Sequence, residues 1–74
     1  MKNFERIATS VLDSAPVRLD VLVTDYNRGD VQAAVDALVE EAVANGTTDY
    51  VEANHPIVRD VLVERLEAAK AQVL

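Results

Sequence analysis

Asp36 and Glu40 stand four residues apart with Glu41 beside them, and on a helix the first two would share one face. A general acid and a general base need a pairing of that kind. Nothing completes it here. No nucleophile, oxyanion-donor set or phosphate-cradling loop accompanies these acids, and 74 residues leave little concave volume for a substrate. His55 is the one histidine, and its place before Pro56 reads as a turn at a helix start rather than as a proton shuttle. Cysteine is absent, which removes disulfides, thiolate metal sites and thiol nucleophiles together. A transition metal would need carboxylates alone or a second subunit. Neither catalysis nor a metal or cofactor is expected. Arg28 and Gln32 have a different capability, since each can make paired hydrogen bonds to the edge of a DNA base.

The location of the charge says more than its sum of −6. Residues 1–29 carry four basic and four acidic side chains, and residues 57–74 carry three of each. The whole deficit lies between them, where Asp30, Asp36, Glu40, Glu41, Asp49 and Glu52 meet no Lys or Arg in the same stretch. Such a surface suits a basic protein partner, or can imitate a nucleic-acid strand by placing carboxylates where phosphates would lie. The plainer reading is a solvated face that keeps a small protein apart from its neighbours. DNA binders gather Lys and Arg around the reading helix. Arg28 stands against Asp30, Asp36, Glu40 and Glu41, so direct DNA binding is possible but disfavoured.

The elements that must position these residues follow from apolar spacing. Phe4, Ile7, Ala8, Val11 and Leu12 form a helical stripe over about 3–13, with Asn3 as its cap and Pro16 beyond its end. Val17 and Arg18 are expected to be extended. Leu19, Leu22, Val23 and Tyr26 mark a short second helix, and Val31, Ala34, Val35, Leu38, Ala42 and Val43 a third. Between them, Asn27-Arg28-Gly29-Asp30 supplies a sharp turn at Asn27 and Gly29 and a cap at Asp30. Asn45-Gly46 should stop the third helix. Thr47 to Ala53, with β-branched and aromatic members in rough alternation, reads as a strand of about five residues. Asn54 can then cap a last helix that starts near Pro56 and runs to about Gln72. Its stripe of Val58, Leu62, Leu66, Ala69 and Val73 is wide enough either to cover the other helices or to be shared in a homodimer or larger assembly.

Thirteen valines and only three aromatic residues imply a core of small, branched side chains that must approach closely. Tyr26 and Tyr50 read as core-edge residues with wet hydroxyls. One domain over residues 1–74 is expected, since the length allows one core and no repeat or linker is visible. No apolar run reaches the roughly 18 residues that a membrane span needs. The charged N-terminus is unlike a signal peptide, so a soluble, cytoplasmic protein is expected, with no membrane partner.

The two central helices and their turn, 17–46, resemble the bihelical core of winged helix-turn-helix domains, a likeness that extends over about residues 4–53. The resemblance implies a mostly α, winged-helix-like domain of four helices with one or two short strands, the first near Val17 and the second at Thr47–Ala53. It departs from the family's pattern after the third helix, because only one strand fits before Pro56 and the wing is shortened or absent. In DNA-binding members the start of the third helix faces the major groove, and here that places Arg28 and Gln32 as the readers of a dimeric regulator. The resemblance also implies a regulatory setting, in transcription or phage-type host control.

Overall fold

Most helices among the described residues begin where a side chain holds a free N–H group of the first turn; the one at Leu19–Val21 is the exception. The structure, a computed structural model, describes residues 3–73, with the side chain of Val73 outside that description. Asn3 accepts the Arg6 N–H at 3.1 Å and opens α1 (Phe4–Asp13). Arg18 leads into α2 (Leu19–Val21), and its guanidinium pairs with Asp20. Burial raises the Asp20 carboxyl, but the Arg18 pair and the Val21 N–H hold it below its ordinary range. α2 runs without a break into a π-helical turn, Leu22–Tyr26, in which the Asn27 N–H reaches back five residues to the Leu22 carbonyl at 3.1 Å.

Asp30 accepts the Ala33 N–H at 3.1 Å and opens α3 (Val31–Ala44). α3 closes on Gly46, whose φ of +79° lets Gly46 and Thr47 donate to the carbonyls of Val43 and Ala42. Asp49 accepts the Glu52 N–H at 2.7 Å and starts one turn of helix, α4 (Tyr50–Ala53). The last helix, α5 (Pro56–Val73), takes its cap from His55: the carbonyl accepts the Arg59 N–H at 3.0 Å and Nδ1 accepts the Ile57 N–H at 3.2 Å. The His55 ring stacks on Phe4, with centroids 4.0 Å apart, so the α5 start is fastened to the α1 start.

α5 packs against α1, α2 and α3 and so organises the core. Val58, Leu62 and Leu66, one turn apart, are fully buried among Val11, Val23, Val35 and Leu38. Each such side chain removed from water contributes roughly 1.5–3 kcal/mol. No polar side chain is buried among the described residues, so hydrophobic contact between small side chains holds the helices together.

Several expectations need correction. The described residues contain no strand. Thr47–Ala53 turns instead: the Asn45 carboxamide accepts the Thr47 N–H, Asp49 caps α4, and Ala53 is pulled into the core with no exposure. Val17 therefore has no strand to pair with. The α5 stripe is not a free dimer face, because Val58, Leu62 and Leu66 are covered by the chain's own helices. Ala69 is half-buried, and the side chain of Val73 lies outside the described residues. Asn54 does not cap α5. Its amide donates to the Tyr50 carbonyl at 2.8 Å, closing α4, and His55 takes the capping place. In the turn before α3, Arg28 rather than Asn27 adopts a left-handed φ, +55°, beside Gly29 at +80°. Asn27 instead uses its carboxamide to hold the Leu22 carbonyl at 2.8 Å. Both tyrosines are largely exposed, Tyr26 at 68% and Tyr50 at 69%, so neither edges the core.

Candidate functional site

The six acids of the central stretch do not form one surface. Asp30 and Asp49 spend a carboxylate oxygen on helix caps, and Asp30 lies ten residues from Glu40, roughly 15 Å along α3. Glu52 is half-buried on α4. Asp36, Glu40 and Glu41 remain on the outward side of α3, all exposed. Their positions follow from the inward set, because burying Ala34, Val35, Leu38, Val39 and Ala42 turns the intervening residues to solvent.

Asp36 has a basic counterpart that lies far away in the chain. Arg59, from the first turn of α5, donates from Nη2 to Asp36 Oδ1 at 2.6 Å and from Nη1 to Asn54 Oδ1 at 2.9 Å. One guanidinium thus joins α3, the end of α4 and α5. Its side chain is mostly covered, at 26% exposure, whereas that of Asp36 is 67% exposed. The carboxylates of Glu40 and Glu41 have no hydrogen-bond or ion-pair partner among the described residues.

Asp36 and Glu40 line an open groove of about 470 Å³ between α3, α4 and α5. Val39 and Val43 contribute its apolar part, and Tyr50 lines it from α4. Arg59 and Asn54 close one side. Glu41, a residue further round α3, is not part of this lining. Sequence reasoning singled out the carboxylates but not Tyr50, Asn54 or Arg59. The Asp49…Glu52 spacing, that of a helix cap, was the signal that could have placed Tyr50 on a helix beside α3.

At the other end of α3, Arg28 and Gln32 are both exposed. Lys70 comes to the same turn from the end of α5 and donates from Nζ to the Gly29 carbonyl at 2.8 Å. Their separation of 41 positions hid this contact from any local reading. The turn therefore carries Arg28 and Lys70 near Asp30, whereas the middle of α3 remains acidic.

The Asp36–Glu40 pair has the face-sharing geometry expected of it, but Arg59 occupies the Asp36 carboxylate and the groove around both is open. Among the described residues no three His, Asp or Glu side chains converge as a metal site would require, and no helix is long and apolar enough to cross a membrane. No protein-family model matches the chain, and no curated protein or solved structure gives a match, so the resemblance to winged helix-turn-helix domains rests on the residues that carry it.

Proposed function

We propose that this chain is a non-catalytic regulatory interaction module of helix-turn-helix type whose acidic α3 surface takes a basic protein partner. The observation that carries this reading is the outward side of α3. The Glu40 and Glu41 carboxylates are exposed and without a partner among the described residues, and Asp36 keeps most of its surface in water even while paired to Arg59. Uncompensated carboxylates on a rigid helix attract cations over about a Debye length, roughly 8–10 Å at physiological salt, and so favour encounter with a basic surface. The helix-turn-helix resemblance suggests a setting in transcription or phage-type host control, where such a surface can stand in for nucleic-acid phosphates.

A second reading, a DNA-binding regulator, draws on one specific observation: Arg28 and Gln32 are exposed at the start of α3 and Lys70 lies against the same turn. It is the weaker one, because duplex laid along α3 would meet Asp36, Glu40 and Glu41.

The test compares wild type with Glu40→Lys/Glu41→Lys as bait in nuclease-treated lysate. These two positions leave the Asp36–Arg59 pair intact. A basic protein retained by wild type, released by added salt and lost on the folded variant supports the interaction module. Equal recovery of the same protein on both baits rejects it. A duplex mobility shift lost on Arg28→Ala would favour the second reading.

A further inference from the structure

We propose that the groove between α3, α4 and α5 is a seat for one cationic side chain, arginine or lysine, projecting from a basic protein segment; this deepens the interaction reading above and rests on it. Three features of the groove point to that occupant. Its apolar part is chiefly the half-buried Val43, against which the methylene stem of a long basic side chain can lie, and such a stem gains by covering apolar surface. Glu40 lines the groove with a carboxylate that no described residue engages, so a bound cation would meet an available acceptor. Tyr50 contributes an aromatic ring that is 69% exposed and lines the same groove, a surface that attracts a cation through its electron-rich face.

Arg59 does not cancel this preference. Its two terminal nitrogens already donate to Asn54 and Asp36, and its charge is balanced by the Asp36 carboxylate, leaving Glu40 to set the local sign. The same bonds fix the groove before any partner arrives, because they hold α4 and α5 against α3, and a preformed seat loses little order on binding. Glu41 gives an internal control: it carries the same charge one residue away but does not line the groove.

The experiment uses the full chain and a short fluorescent peptide carrying spaced arginines in an alanine and glycine background, with a peptide carrying glutamine at the same positions as control. Binding is read by anisotropy for wild type, Glu40→Gln, Glu41→Gln and Tyr50→Leu, each first shown to be folded by circular dichroism. The arginine peptide should bind and the glutamine peptide should not. Glu40→Gln should weaken binding about tenfold and Tyr50→Leu about twofold to fivefold. Glu41→Gln should change it less than about twofold, as a peripheral charge does. Equal losses from Glu40→Gln and Glu41→Gln, with none from Tyr50→Leu, would overturn the seat while leaving a diffuse acidic surface in place. No binding of the arginine peptide to wild type would also overturn the seat. Loss of the interaction reading itself would instead show as equal recovery of a lysate partner on wild type and the Glu40→Lys/Glu41→Lys variant.

Discussion

Replacing Leu62 with alanine removes a fully buried side chain from the middle of α5, where that helix packs against α1, α2 and α3. Buried leucines cut back to alanine cost about 2.7–5 kcal/mol, the spread reflecting how far the surroundings close over the gap. The core to which Leu62 belongs is chiefly alanine and valine, so some closure is available and about 3 kcal/mol is the working value. A domain of this length has roughly 4–11 kcal/mol of stability in total, so the change takes a large share of it. At about 4–8 °C per kcal/mol for a domain of this size, the melting midpoint should fall by about 12–24 °C. Far-UV circular dichroism at low and high protein concentration reads the midpoint. Because Leu62 lies in the chain's own core, the size of the drop should not depend on concentration. A fall of less than about 4 °C, or a drop that shrinks as concentration rises, would refute the intramolecular placement and restore the α5 stripe as a contact between copies.

Asp49→Ala should destabilise α4 by about 1 kcal/mol and speed hydrogen exchange at the Glu52 amide, which donates to that carboxylate; unchanged exchange would mean the cap contributes nothing. Gly29→Ala should cost about 1–2 kcal/mol in urea unfolding, because alanine is strained at φ +80°. Packing adds little to that figure: an added Cβ meets Lys70 at 3.5 Å, an ordinary contact. A double-mutant cycle on Asp36→Asn and Arg59→Met should give a coupling below about 1 kcal/mol that shrinks with salt, since the Asp36 side chain is 67% exposed. A larger, salt-insensitive coupling would show that the pair is shielded from solvent.

Two of the helices, α1 and α3, were legible because two independent signals agree in each. α1 and α3 have an apolar stripe and a capping residue, Asn3 and Asp30, and both caps form their hydrogen bonds. Residues 47–53 were not legible by propensity. Thr47, Thr48, Tyr50 and Val51 favour a strand locally, but a lone strand leaves its backbone groups unpaired, whereas capping by Asp49 and burial of Ala53 satisfy the segment as a helical turn. The α5 stripe by itself left open whether this chain or a second copy covers it. Only the positions of α1, α2 and α3 around it decide that Val58, Leu62 and Leu66 face inward.

Of the candidate site, exposure of Asp36, Glu40 and Glu41 was legible from the periodicity of α3. The pairing of Asp36 with Arg59 was not, because the two lie 23 residues apart and charge counted along the chain cannot see across a helix interface. Lys70 at Gly29 escaped notice for the same reason. These contacts change how the surface should be probed: reversing Asp36 disturbs the fastening of α5 as well as the surface, and Glu40 with Glu41 is the cleaner pair.

The acidic side of α3 as a binding surface is tested most directly by mapping amide chemical shifts of the labelled protein as the basic partner recovered from lysate is added. The largest changes should fall on Val39, Glu40, Glu41 and Tyr50, should weaken with added salt, and should leave Arg28 and Gln32 nearly unmoved. Changes confined to residues 28–32, or to the outward residues of α5 with no effect of salt, would contradict it.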